Sequence, residues 1–135
     1  MSFIKRFSDQ HKEIILLCEQ LKMITIDAII NDISNIKAIQ DKLNKVLSGH
    51  LQLEDKALYP SLHEHSDPNI VKTSKRLQSE VLVCTQAHTI YQDKYSDLKS
   101  IQADPSTYVK ETIHVIDAIL ERIEKEEREL YSLLT

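Results

Sequence analysis

The sequence is poor in the residues that let chains turn tightly. Its 135 residues include one glycine and three prolines. A sheet protein of this length needs many turns, so the shortage points to long helices with short connections. No uncharged run approaches the roughly 18 residues of a membrane span, and the opening "MSFIKRFSDQ" lacks the apolar core of a signal peptide. A cytoplasmic location with no membrane partner is therefore expected. Cysteine is scarce as well. Cys18 and Cys84 fall within apolar patterns and read as small buried hydrophobes in a reduced compartment. Charge of one sign is not concentrated either: the net charge is -4, with lysines and arginines mixed among acids, which gives no support for nucleic-acid binding. No nucleophile–base pair, phosphate loop or substrate-selective motif appears, so no catalytic reaction is assigned.

What the sequence does have is helical periodicity. A hydrophobic content of 41% suits one domain spanning residues 1–135. Apolar residues recur at steps of three and four in four stretches. The first covers roughly residues 8–30, with Ser8 and Asp9 as N-cap candidates and a stripe of His11, Ile14, Cys18, Leu21, Thr25 and Ala28. A turn near Asn31 and a cap at Asp32 or Ser34 lead to the second, roughly 33–63, striped by Ile36, Ile39, Leu43, Leu47, His50, Glu54 and Leu58. Pro60 is expected to bend this helix or mark its approaching end.

The third runs over roughly 68–102, with Pro68 at its first position and Ile70, Thr73, Leu77, Glu80, Cys84, Ala87, Tyr91 and Leu98 on its stripe. The fourth covers roughly 106–134, through Thr112, Ile116, Ile119, Ile123, Glu126, Leu130 and Leu133. Long helices with short loops predict an all-α, antiparallel up-down-up-down four-helix bundle.

Polar residues interrupt these stripes at one height. Counted from the expected turns, His11, His50, Glu54, Glu80, Arg122 and Glu126 all lie roughly 30 Å from one end, at about 1.5 Å per residue. Burying carboxylates together is costly because each loses water and each repels the others. With neutral histidines, three glutamates against Arg122 leave about two negative charges, the charge that one divalent cation balances. Imidazole and carboxylate together suit iron, manganese or zinc. Gly49, in mid-helix just before His50, suggests a close backbone approach in this layer.

The sequence also repeats itself. "HLQLEDKALYPSL" (His50 to Leu62) aligns with "RIEKEERELYSLL" (Arg122 to Leu134), matching Glu54 to Glu126, Leu58 to Leu130 and Tyr59 to Tyr131. The first position differs, His50 against Arg122.

On these residues the chain resembles the hemerythrin-like family, also called HHE cation-binding domains. The resemblance covers essentially all of the chain and rests on "QHKEI" around His11, "HLQLEDKALYP" from His50 to Pro60, and "RIEKEERELYSLL". It implies a four-helix bundle holding a non-haem di-iron centre. His11 would be the first-helix ligand, His50 and Glu54 the second-helix pair with Glu54 bridging, and Glu126 the bridging carboxylate of the fourth helix.

Two departures stand out. Arg122 replaces a fourth-helix histidine, and arginine stays protonated and does not normally ligate a metal. The third helix, where the family usually supplies one or two histidines, offers Glu80 as a further expected metal ligand, with Cys84 one turn along. A one-ion site, or a carboxylate-richer two-ion site, fits these residues better than a reversible oxygen carrier.

Arg122 is expected to pair with Glu54 or Glu80; the alternative is that it faces an open coordination position and steers an anion such as peroxide or nitrite. The implied function is binding of one or two ions, iron first, for oxygen, nitric oxide or peroxide sensing or iron handling. The competing reading is a metal-free interaction or signalling module that has lost its ion.

The remaining residues receive ordinary expectations. His88 and His114 read as rim or surface residues, and His63 and His65 as solvated groups at a turn. The hydroxyls of Tyr59 and Tyr131 are expected to reach water. "FIKRF" reads as an arm packed on the bundle, and "ERIEKEERE" as a solvated helix face.

Overall fold

The computed structural model describes residues 2–28 and 33–134. The turn near Asn31 and the cap at Asp32 lie outside the described residues. Within them the chain is helical and contains no strand. Helix α1 runs Ser2–Ala28, α2 Ile33–Leu53, α3 Tyr59–His63, α4 Pro68–Lys94, α5 Leu98–Ala103 and α6 Pro105–Lys125. A π-helical turn, Glu54–Leu58, joins α2 to α3 without a break. A second one, Glu126–Leu130, follows α6 and leads into a closing 3₁₀ turn, Tyr131–Leu134.

Helix α1 begins before the expected caps. Ile4 and Phe7 carry the stripe of His11 and Ile14 backwards, and both are buried, so the amphipathic period extends almost to the first residue. Ser8 and Asp9 consequently lie inside the helix, Asp9 pairing with Lys5 at 2.8 Å. "FIKRF" is thus part of α1, with its two described apolar side chains, Ile4 and Phe7, packed inward. Further along, aspartates set the starts. Asp67 accepts from the Asn69 amide at 2.9 Å with Pro68 in the first turn, and Asp104 accepts from the Thr107 amide at 3.1 Å with Pro105 following it. Between them the third helix does not run unbroken to residue 102. Tyr95 is buried where α4 ends, and Asp97 caps the separate α5 through the Ser100 amide at 2.8 Å.

Packing places α1 against α2 and α6, and α4 against α3, α6 and the second π turn. The apolar interior falls into two clusters. The larger holds Ile14, Leu21, Leu43, Tyr91, Tyr108 and Ile119; the smaller holds Phe7, Leu58, Tyr59, Leu77, Leu130 and Tyr131. The stripe of α1 from His11 to Thr25 and the stripes of α2 and α6 point inward as expected.

Helix α4 does not follow its expected stripe throughout. Its buried residues are Ile70, Ser74, Leu77, Val81, His88 and Tyr91, so the inner face takes 74, 81 and 88 where the stripe took Thr73, Glu80 and Ala87. Steps of four-then-three and three-then-four share Ile70, Leu77 and Tyr91, and the packing chose the first. This one shift places Glu80 at the half-exposed edge and His88 inside, where its Nε2 lies 2.8 Å from Asn44 Oδ1. His88 is therefore a buried residue and not a rim residue. Gly49 also departs from expectation: it is exposed, and nothing lies within 4 Å of where its Cβ would stand. No close backbone approach requires it.

Candidate metal centre

Four side chains meet where the two apolar clusters are separated. His11 of α1, His50 of α2, and Glu54 and Glu126 at the first positions of the two π turns are all buried, and each offers one ligand atom within 4.8 Å of all the others. The rings of His11 and His50 have centroids 4.6 Å apart.

The π turns explain how both carboxylates face inward with their tyrosines. In each, the tyrosine amide closes a five-residue hydrogen bond onto the carbonyl of the glutamate: Tyr59 onto Glu54, and Tyr131 onto Glu126. The widened turn advances the buried face by one residue, which is why Leu134, and not Leu133, packs inward at the end. Pro60 does not cause the turn, because the second copy has Ser132 at the matching position and makes the same bond.

The tyrosines then cross. Tyr59 OH donates to Glu126 Oε2 at 2.7 Å, and Tyr131 OH to Glu54 Oε2 at 3.4 Å. Neither hydroxyl is left to water. Tyr131 also stacks on the His11 ring, 5.2 Å between centroids and 2° from parallel.

Each imidazole is held from behind. His50 Nδ1 lies 2.7 Å from Gln10 Oε1, and His11 Nδ1 lies 3.0 Å from Glu127 Oε1. Both partners are acceptors, so each Nδ1 donates and the Nε2 lone pair is turned toward the centre. His11 Nε2, His50 Nε2 and Glu54 Oε1 are buried without hydrogen-bond partners among the described residues. His11 Nε2 lies 3.2 Å from Glu126 Oε1, and His50 Nε2 lies 3.5 Å from Glu54 Oε1.

Gln10 and Glu127 were not singled out by the stripes, since each sits beside an inward residue rather than on the inward face. Adjacency was their only signal. Glu127, moreover, belongs to the segment expected to be a solvated face.

The electrostatics match a site short of positive charge. Burial, then the neighbouring Glu126, pushes the Glu54 carboxyl well above the usual carboxylate range. Burial also opposes ionisation of Glu126, but its neighbours Glu54 and His11 and the Tyr59 hydroxyl outweigh it and hold that carboxyl low. The pair therefore shares one proton, held on Glu54. Burial, then the nearby His11, lowers His50 to about 4, leaving it neutral at ordinary pH.

The outer members of the expected layer lie elsewhere. Glu80 does not join the four: its side chain is 37% exposed and receives Arg122 Nη1 at 2.9 Å, with Arg76 and Lys125 nitrogens each at 3.9 Å. Arg122 is buried on α6, one turn before Glu126. The expected pairing of Arg122 with Glu54 or Glu80 takes the form of a single contact, to Glu80. Cys18 is buried, with its thiol pushed up to about 12 by burial, and Cys84 is partly buried; both are free thiols. His114 and His65 are exposed and His63 half-buried, none of them in the group.

A family model, the hemerythrin HHE cation-binding domain, matches residues 2–134. The chain belongs to that family. No curated protein and no solved structure matches it. The family's description accords with the centre of this HHE domain, where inward imidazole nitrogens and an unpaired carboxylate oxygen are left without partners of their own. Among the described residues of the HHE domain, no helix is long and apolar enough to cross a membrane.

Proposed function

We propose that this HHE domain holds a single transition-metal ion, iron first, between His11, His50, Glu54 and Glu126, inside an antiparallel up-down-up-down four-helix bundle. The observation that carries this reading is the convergence of the unpaired His11 Nε2, His50 Nε2 and Glu54 Oε1 in a buried layer. Such atoms cost about 1–3 kcal/mol each when left without a partner. Ligand bonds of about 2.0–2.2 Å put opposite ligands roughly 4 Å apart, so a spread of 4.8 Å needs only a small contraction.

One ion suits the donor set better than two. Two imidazoles and two carboxylates supply four donors, enough to hold one ion with a position left for a small ligand, and Arg122 brings positive charge where the repeat would place a third imidazole. A redox-active ion bound here would supply a centre for small oxygen or nitrogen oxides, in sensing or in iron handling within the cytoplasm. The chain's own part is to orient both imidazoles through Gln10 and Glu127, to fix Glu126 through Tyr59, and to release the Glu54 proton when the ion enters.

The shared proton favours a second reading, a metal-free interaction or signalling module, because Glu54 can remain neutral beside Glu126. Metal content after expression in iron-supplemented medium separates the two. The binding reading expects about one ion per chain, lost in His50→Ala and Glu54→Ala. Substoichiometric metal that neither substitution changes would leave the metal-free reading standing.

A further inference from the structure

Arg122 stands on α6 one turn before Glu126, where the internal repeat places the counterpart of His50. Its side chain is 9% exposed, yet only one corner of the guanidinium is used: Nη1 donates to Glu80 Oε2 at 2.9 Å. Nε and Nη2 are buried and have no hydrogen-bond partner among the described residues. These two nitrogens form the edge whose N–H bonds run parallel, the fork that fits two oxygens of one planar anion. Arg122 and the candidate ligand Glu126 are both buried and four residues apart, which puts them on one side of the winding chain.

Charge balance says when an anion would be accepted. In the metal-free protein the buried Glu54 and Glu126 carboxyls crowd the layer beside Arg122 with no ion to offset them, and a further anion is disfavoured. A divalent ion bound between those carboxyls offsets their charge and adds a second cation beside the guanidinium. We propose that the Nε–Nη2 edge of Arg122 receives a small planar oxyanion, of the formate, nitrite or bicarbonate class, beside the metal-loaded centre. This rests on the metal-binding reading above. Chloride offers one acceptor point where the fork has two donors, and sulfate brings a second charge and more bulk into a buried layer.

The test uses the full chain loaded with zinc, which has no redox chemistry of its own, with metal content measured first. Formate is then titrated by calorimetry at constant ionic strength with chloride as the background anion. One saturable formate site per zinc-loaded chain is expected, weakened roughly ten-fold or more in the metal-free chain and in Arg122→Lys, which keeps the charge and loses the fork. Glu80→Gln, which removes a competing carboxylate at a half-exposed position, should tighten formate binding several-fold.

A chain that takes up zinc but binds no formate overturns this inference and leaves the metal reading intact. A chain that takes up neither zinc here nor iron in the expression test above overturns both. Formate binding unchanged in Arg122→Lys overturns the assignment to the guanidinium. If Arg122→Lys does not fold, unchanged or weaker binding in Glu80→Gln overturns it instead.

Discussion

Gly49 and Gln10 show how residues next to the inward histidines acquire different roles. Gly49 precedes His50, faces solvent and meets nothing at the position of a Cβ, so it carries only the entropic cost of glycine in a helix. Gly49→Ala should stabilise the protein by about 1 kcal/mol, read as a shifted urea midpoint; a loss of stability would mean that the backbone there is doing something the packing does not reveal. Gln10 precedes His11 in sequence but reaches His50, accepting from Nδ1 at 2.7 Å. Gln10→Ala should therefore weaken metal affinity roughly 10–100-fold while leaving the helical circular-dichroism signal in place. Glu127→Gln keeps an acceptor oxygen for His11 and should behave nearly as the parent. Equal affinities for Gln10→Ala and the parent would show that the imidazole needs no support from behind.

Among the helices, legibility followed the strength of the stripe. Helices α1, α2 and α6 carry continuous apolar stripes, and the polar residues that interrupt or follow them, His11, His50, Glu54 and Glu126, could be recognised as inward for that reason; Gln40 and Asn44 of α2, buried beside its stripe, could not. Helix α4 mixes threonine, serine and glutamate among its apolar residues. Two registers one residue apart fit it equally well, so Glu80 and His88 exchanged places with their expected environments. The π turns had no legible signal in a single copy, because a widened turn changes no residue type; the repeat showed that two segments were alike without showing how they were wound. The two turns are unequal in their cross-bracing. The Tyr59 bond to the charged Glu126 is 2.7 Å, and the Tyr131 bond to Glu54 is 3.4 Å. Tyr59→Phe should cost about 1.5–3 kcal/mol in the metal-free protein and Tyr131→Phe about 1 kcal/mol or less, by denaturant unfolding. A reversed order would place the shared proton on Glu126 and not on Glu54.

For the molecule as a whole, ionisation presses on the metal-free fold from two sides. His50, lowered from 6.5 to about 4, binds its proton less readily when folded than when unfolded. Its contribution to stability is complete above about pH 6.5 and is lost as the pH falls toward about 4, by up to about 3 kcal/mol. Burial lowers His88 as well, which adds to the same acid-side loss. Glu54 acts oppositely: its raised carboxyl holds a proton that the unfolded chain releases above about 4.5, so stability drains away as pH rises beyond that value. Metal-free protein should therefore show a bell-shaped dependence of its urea midpoint on pH, and saturating metal should remove the alkaline fall because the ion takes the proton's place. A midpoint that keeps rising through pH 8 without metal would contradict the raised Glu54.

The division of the apolar interior into a larger and a smaller cluster bears on how this protein melts. The smaller one is assembled from the two ends of the chain, Ile4 and Phe7 with Leu130, Tyr131 and Leu134, closed over by α3 and the first half of α4. With a layer of unpartnered polar atoms beneath it, that end is expected to open while the other end stays folded, its amides exchanging with solvent at a lower free energy. An ion gripped by α1, α2 and the turn after α6 would tie both ends into a single cooperative unit, so that occupancy is felt as synchrony of unfolding as much as a higher melting temperature.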